Sequence, residues 1–363
     1  MKGTTWRARR VTGAAGTLVA AALLGATAVG CSSGEEPAEG DDAAPEVVRL
    51  LTYDSFALDD EVAAAFEEAS GARLEVIPAG DSGAMLAGAL LSARDPGADV
   101  IFGIDNTSAS KAAEADLLAD HRPDAAETLP AELAAPGEVA DLLTPIDTSE
   151  VCINADEAWF EEHSQELPET FEDLVSEPYR DLLVVENPVN SSPGLAFMLG
   201  SIEVFGPEGW TDYWESLREN GVRVAPSWDD AYYNDYTVNG GERPLVVSYA
   251  SSPPAEVVFS EGARSEPASV VLEGTCVTQV EYAGLLAGAE NPAGGRELLE
   301  FMLGEQWQSA VALSNFVYPV TGVELPEEFQ QWAPRPDDPI TLDAEAVARE
   351  RDDWLETWRS VME

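Results

Sequence analysis

The sequence predicts an α/β fold with largely parallel sheets, and three observations carry that prediction. Short β-branched runs alternate with stretches of helical period, the runs end in Asp, Ser, Asn, Pro or Gly, and no internal repeat interrupts the alternation. With 45% hydrophobic residues over 363 positions, the chain has the apolar content for a real core and the length for two ordinary domains.

The first strand is expected at Val47 to Tyr53, a β-rich run. Leu58, Val62, Ala65 and Phe66 then recur at helical spacing until Gly71, a residue suited to ending a helix. Leu74 to Ile77 reads as a second strand closed by Pro78 to Gly83, and Met85, Leu86, Leu90 and Leu91 mark the next helix. Asp95-Pro96-Gly97 turns into a strand at Asp99 to Gly103. The middle repeats this logic, with a strand at Leu182 to Val185, a turn at Asn190 to Gly194 and a helix from Leu195 to Glu203. Gly221 to Val224 leads to Ser227-Trp228, and Leu245 to Tyr249 leads to Ser251 to Pro254. Cys276 to Tyr282 reads as a late strand and Gly294 to Leu303 as a helix. In the last helix Trp354 and Trp358, four residues apart, make a packing face.

Ahead of these elements, Lys2, Arg7, Arg9 and Arg10 precede a nearly charge-free run from Ala14 to Val29, too short to span a bilayer comfortably. A lipoprotein signal peptide is expected over residues 1–30. Ala28-Val29-Gly30-Cys31 resembles a bacterial lipobox with Cys31 as the lipidated residue; the alternative is an ordinary signal followed by an incidental Cys. Residues 31–46 are rich in Ser, Gly, Pro, Glu and Asp, and residues 32–46 hold no aromatic or β-branched side chain. Such a segment cannot offset its ordering entropy by burial and predicts a flexible acidic tether. The protein is thus expected to be exported and lipid-anchored to the outer face of the cytoplasmic membrane. A net charge of −49 argues against nucleic acid and anionic lipid as partners, because their phosphates would be repelled.

Apart from Cys31 the chain has only Cys152 and Cys276. An oxidising compartment favours a disulfide between them, while two buried thiols remain the alternative. No CxxC occurs, and His121 and His163 stand in polar stretches without ligand spacing, so no metal site and no cofactor is expected. Enzyme chemistry is disfavoured too. No Gly-x-Ser-x-Gly elbow stands at a strand–helix turn, and neither His lies near a strand-end motif.

The polar signals share one position. Asp54, Ser55, Asp81, Ser82, Asp105, Asn106, Ser191 and Ser192 all fall just after an expected strand, where a helix opens. Each alone reads as a helix cap. Together they mark the edge where strand ends converge and ligands bind in α/β sheets. Ser191-Ser192-Pro193-Gly194 could also cradle a hydroxyl or phosphate. Tyr53, Trp228, Tyr249, Phe316 and Tyr318 hold comparable positions, and aromatic faces attract cations and stack on flat heterocycles.

Five segments in this order resemble the thiamine-binding components of bacterial ABC importers, within the extracytoplasmic solute-binding protein superfamily. They are Thr52 to Phe56, Ala98 to Asn106, Ser191 to Phe197, Leu245 to Pro253 and Asn315 to Val320. The resemblance implies a two-lobed, type II periplasmic-binding-protein-like fold, with mixed, mostly parallel sheets flanked by helices and a hinge between lobes. Residues 47–147 plus 275–315 would form lobe 1, and residues 148–274 plus 316–363 lobe 2. It implies a monomer that hands thiamine, or a thiamine phosphate, to a permease in the cytoplasmic membrane without catalysis. Trp228, Tyr249 and Phe316 would wall the ligand, Tyr53 and Asp54 line the cleft, and Asp81 and Ser82 meet the aminopyrimidine. Ser191 and Ser192 would meet the hydroxyethyl end or its phosphates. The chain departs from the family where Phe316 replaces a Trp, Asp60 stands where Trp often appears, and Ala255 falls at an expected Tyr. These departures predict a more open pocket. A ferric-iron binder is the rival within the superfamily, because Tyr232-Tyr233 offers an adjacent phenolate pair.

Overall fold

The computed structural model describes residues 46–363, so the expected leader, Cys31 and nearly all of the tether lie outside the described residues. Among the described residues nine strands occur: β1 (Val47–Thr52), β2 (Arg73–Pro78), β3 (Val100–Asp105), β4 (Thr144–Asp156), β5 (Leu183–Glu186), β6 (Arg223–Ala225), β7 (Leu245–Tyr249), β8 (Ser269–Leu285) and β9 (Tyr318–Pro319). The helices are α1 (Asp60–Ser70), α2 (Ser82–Leu91), α3 (Ala109–Ala112), α4 (Glu157–His163), α5 (Ser192–Glu219), α6 (Pro253–Val258), α7 (Pro292–Met302), α8 (Glu305–Ser314), α9 (Glu327–Trp332) and α10 (Ala344–Met362). The strands form one mixed sheet in the order β2-β1-β3-β8-β4-β7-β5-β6, with β9 paired to β4.

Parallel pairing occupies the two flanks. β1 lies between β2 and β3, and β5 lies between β6 and β7, all parallel. Parallel neighbours need a crossover, which α1 and α2 supply on the first flank and α5 on the second. Such strands are covered on both faces, so they read as continuous apolar runs. Successive residues of β1 divide accordingly: Val48 and Leu50 join one core cluster and Leu51 another. On the second flank Leu183, Val185, Leu245 and Val247 join the large core under α5, while Val184 and Val246 face a smaller cluster with Tyr232 and Tyr236.

The local stops follow the sequence. Asp59 accepts hydrogen bonds from the Glu61 and Val62 amides at the start of α1, and Gly71 ends it with φ of 74°. The expected helix at Leu195 to Glu203 is longer than its apolar pattern. It starts at Ser192 and continues to Glu219 across a break at Gly206, where φ is 71° and Pro207 follows. α10 lies on α5, where Trp358 meets Trp214 edge-on at 5.6 Å.

Antiparallel β4 and β8 join the flanks. The sequence pattern hid β4 entirely and the first part of β8. Thr144 to Ala155 are all buried, although the run Asp147-Thr148-Ser149-Glu150 is polar. Buried polar groups persist where they find partners. Ser149 pairs with Ser251 through their hydroxyls at 2.9 Å, and Arg335 donates to Glu150 at 2.9 Å and to Thr148 Oγ1 at 2.6 Å. Between Val151↔Val277 and Ile153↔Leu272 the ladder slips, and there Cys152 is joined to Cys276 with Cα atoms 4.1 Å apart. Thr275 fills the slip by accepting the Ile153 amide at 2.9 Å.

A cross-link over a sequence separation of 124 removes much of the unfolded chain's freedom. The double variant Cys152→Ala/Cys276→Ala is therefore expected to lose about 2–5 kcal/mol in urea unfolding, with its far-ultraviolet circular dichroism unchanged. Equal urea midpoints would show that the cross-link does not stabilise the fold.

Candidate functional site

Strand ends from both flanks converge on a cavity of about 200 Å³. Tyr53 and Ser55 follow β1, Asp81 and Ser82 open α2, Ser192 opens α5, Trp228 follows β6, and Tyr249 and Ser252 come from the end of β7. The floor comes from the middle strands, as Asp147 and Ser149 of β4 and Gln279 and Glu281 of β8.

Aromatic rings build one wall. Trp228 stacks on Tyr232 at 4.8 Å and 15°, meets Tyr233 edge-on at 5.5 Å and lies 6.3 Å from Tyr249. Its indole N–H donates to Ser248 Oγ at 3.1 Å, which fixes the ring plane. Phe316, held at a φ of 54°, meets Phe259 edge-on at 5.3 Å. Phe259, 66% exposed, lines the mouth beside Ala255, where a large ring was expected and is missing. Asp60 is an exposed residue at the start of α1, outside the wall.

The two flanks touch across the cavity. Asp81 accepts the amide of Ser82 at 2.7 Å and that of Trp228 at 3.0 Å, so one carboxylate holds the ends of both flanks. Ser192 donates its amide to Ser82 Oγ at 3.1 Å, and Gly83 donates its own to the Asn190 carbonyl at 2.7 Å. Only glycine permits that last approach, because a Cβ on Gly83 would stand 2.7 Å from the Asn190 oxygen.

Acidic groups dominate the interior. Among the described residues that line the cavity, Asp81, Asp147 and Glu281 are acidic and none is Lys or Arg. Burial raises the Asp81 carboxyl, against hydrogen bonds that lower it. Burial also pushes Asp147 up to about 7 and Glu281 well above the usual carboxylate range, Glu281 further by the nearby Asp147 charge. Such an interior favours a flat cation over an anion.

A family model described as bacterial extracellular solute-binding protein matches residues 95–338. The chain belongs to that family. This solute-binding protein is 28% identical over 321 residues to the thiamine-binding periplasmic protein of Escherichia coli (strain K12), covering 87% of this chain and 93% of that one. A solved structure titled periplasmic thiamin binding protein aligns with a TM-score of 0.76 at 24% identity, covering 87% of this chain and 96% of that one. Iron-bound HitA from Pseudomonas aeruginosa aligns at 0.67 with 21% identity, covering 87% and 99%. At these identities the structural likeness shows the two-lobed periplasmic-binding-protein fold alone.

Of the residues singled out by sequence, Tyr53, Ser55, Asp81, Ser82, Ser192, Trp228, Tyr249 and Phe316 line the cavity of this solute-binding protein. The others stand behind or beside it. Asp54 accepts the Gly80 amide at 2.8 Å and shapes the turn below Asp81. Asp105, fully buried, accepts from Thr107 and Ser108 hydroxyls at 2.6 and 2.9 Å and from Ser192 Oγ. Asn106 pairs with the β8 backbone at Thr278 and Val280. Ser191 is the buried residue that precedes α5. Tyr318 donates its hydroxyl to the Ala333 carbonyl at 2.9 Å, with the Arg335 guanidinium 3.8 Å above its ring. Tyr232 and Tyr233 both line the cavity. Burial raises both phenols, Tyr232 further through Glu256, and the Tyr232 hydroxyl contacts that carboxylate at 3.5 Å. Asp147, Ser149, Gln279 and Glu281 escaped the sequence reading because they lie inside strands rather than at strand ends. The available signal was a charge within an apolar strand, as in Gln279-Val280-Glu281-Tyr282.

Two measurements follow from this geometry. Gly83→Ala should favour the α2 helix by about 1 kcal/mol on propensity, yet hold the flanks apart. Small-angle scattering should then show a larger radius of gyration than wild type without a lower melting temperature; equal radii would show that the flanks still meet. Glu186, at the end of β5, is fully buried with both carboxyl oxygens unpartnered, and burial raises its carboxyl well above the usual range. The native state thus keeps a proton that the unfolded chain sheds near 4.5. The stability this gives is complete below that pH and declines as pH climbs towards the native value, by at most about 1.4 kcal/mol per pH unit. Glu186→Gln should flatten the fall of melting temperature with rising pH, and an unchanged slope would refute the assignment.

Proposed function

We propose that this protein captures thiamine in the cleft and delivers it to an ABC permease in the cytoplasmic membrane, as a monomer tethered through a lipidated Cys31. The observation that carries the reading is a cavity walled by Trp228 and neighbouring rings, floored by carboxylates and free of lining Lys or Arg among the described residues. Thiamine pairs a permanently cationic thiazolium with a flat aminopyrimidine. Aromatic faces and carboxylates attract the first, and a hydrogen-bonding carboxylate suits the exocyclic amine of the second. The name carried by the Escherichia coli relative at 28% identity supports the same ligand.

In this reading Asp81 and Ser82 meet the aminopyrimidine, Trp228, Tyr249 and Phe316 wall the ligand, and Ser192 faces its hydroxyethyl end. Residues 47–147 plus 275–315 and residues 148–274 plus 316–363 act as two lobes that close about β4 and β8. Binding, without catalysis, is the whole of the activity.

Isothermal titration calorimetry of the purified protein against thiamine and ferric citrate tests the proposal. One-to-one thiamine binding is expected. Trp228→Ala should weaken it by about tenfold or more, from the loss of a desolvated cation–π face worth about 2 kcal/mol. Heat with ferric citrate alone would overturn the reading and move attention to Tyr232 and Tyr233.

A further inference from the structure

Asp147 and Glu281 are direct partners in the β4–β8 ladder, and both face the cavity. They are 1% and 6% exposed. Tyr53 donates its hydroxyl to Glu281 Oε2 at 3.2 Å, whereas Asp147 Oδ1 is buried without a hydrogen-bond partner. Gln279 Oε1, also in the cavity floor, is likewise unpartnered. A buried acid pair with an unspent acceptor costs free energy unless something positive meets it.

No protein cation fills that role among the described cavity residues. Arg335 reaches β4 but is engaged by Glu150, Thr148 and the Tyr318 ring. The groups that act on the pair from other strands are Tyr53 after β1, Asp105 at the end of β3 and Tyr249 at the end of β7, all acidic or phenolic. Arg351 of α10 acts on Asp105 instead. An anion finds no better welcome at the helix starts. Asp81 already takes the Ser82 and Trp228 amides, Ser82 Oγ takes that of Ser192, and the Tyr249 carbonyl takes that of Ser252.

Building on the thiamine reading, we propose that the Asp147–Glu281 pair is the counter-charge that makes this cleft take a singly cationic heterocycle in preference to its phosphorylated, anionic forms. In the empty cleft the two carboxyls share a proton, because neighbouring buried charges of one sign cannot both ionise cheaply. An arriving cation favours the ionised pair, so binding sends that proton to solvent. Affinity therefore falls as pH drops, by up to about tenfold per pH unit while one proton is released, and more steeply below about 7, where Asp147 takes up a second proton. A phosphate ester adds negative charge to a site whose ionisable lining groups are acids and phenols, with no Lys or Arg among the described lining residues to offset it.

Calorimetry on the full chain tests this with thiamine, its monophosphate and its diphosphate, from about pH 5.5 to 8.5 in two buffers of different ionisation heat. Thiamine should bind at least about tenfold tighter than the diphosphate, with release of close to one proton near neutral pH. Glu281→Gln keeps the shape and a donor for Asp147 while removing the charge. It should weaken thiamine about tenfold or more, abolish proton release and narrow the gap to the diphosphate. Should that variant fail to fold, Asp147→Asn and the buffer dependence of the wild type carry the same test. Equal or tighter diphosphate binding, or thiamine binding without proton release, would overturn the counter-charge alone. Absence of binding by all three forms would overturn the thiamine reading together with it.

Discussion

The antiparallel pairing of β4 with β8 carries both flanks of the sheet: one end of β8 holds β3, and the far part of β4 holds β7. Within the sheet the parallel strands on each side are joined through this pair, and the cavity opens over its middle. The ladder slip at Cys152 and Cys276 falls within the part of β4 that carries β7. Because β4 and β8 also present Asp147, Ser149, Gln279 and Glu281 upward, the element that organises the fold supplies the chemistry of the floor. Packing density then couples the two roles. A change of side-chain volume in these strands would disturb the core and the site together.

Acidity works on two levels. At the surface a net charge of −49 is solvated and costs little locally. Inside, Asp105, Asp147, Glu186 and Glu281 are carboxyls in a medium that penalises their charge, and each is raised by burial first of all. Their environments then differ. Asp105 is satisfied by hydroxyls and holds Ser192 in place, Glu186 lacks partners and sits beneath the α5 start, and the β4–β8 pair faces the open space. Residues of one chemical type are thus divided among bracing, packing and lining the cavity by what surrounds them.

The flanks were legible in sequence because their strands are short, apolar and bounded by Pro, Gly and capping residues. The turn after β2, with Asp81 and Ser82, and the Ser191–Gly194 start of α5 stand where the alternation predicted. The long strand β4 was not legible, because Asp147 to Glu150 resembles a loop until Arg335 and Ser251, both distant in sequence, are brought alongside. Strand-end logic found Trp228 and Tyr249 but assigned Asp105, Asn106 and Tyr318 to the cavity, where tertiary hydrogen bonds occupy them instead. It passed over Phe259, whose place at the mouth depends on the helix that precedes it rather than on any local signal.

The double acceptance by Asp81 bears on how long an occupant stays. With the amides of Ser82 and Trp228 on one carboxylate, and those of Ser192 and Gly83 received across the gap, the shut form is held by protein groups on both sides. An occupant therefore spends little of its contact energy on shutting the cleft, and its residence time is governed by the rate at which these crossing bonds part together. Opening of the interior becomes a mechanical matter: whatever separates Asp81 from the Trp228 amide parts the two flanks.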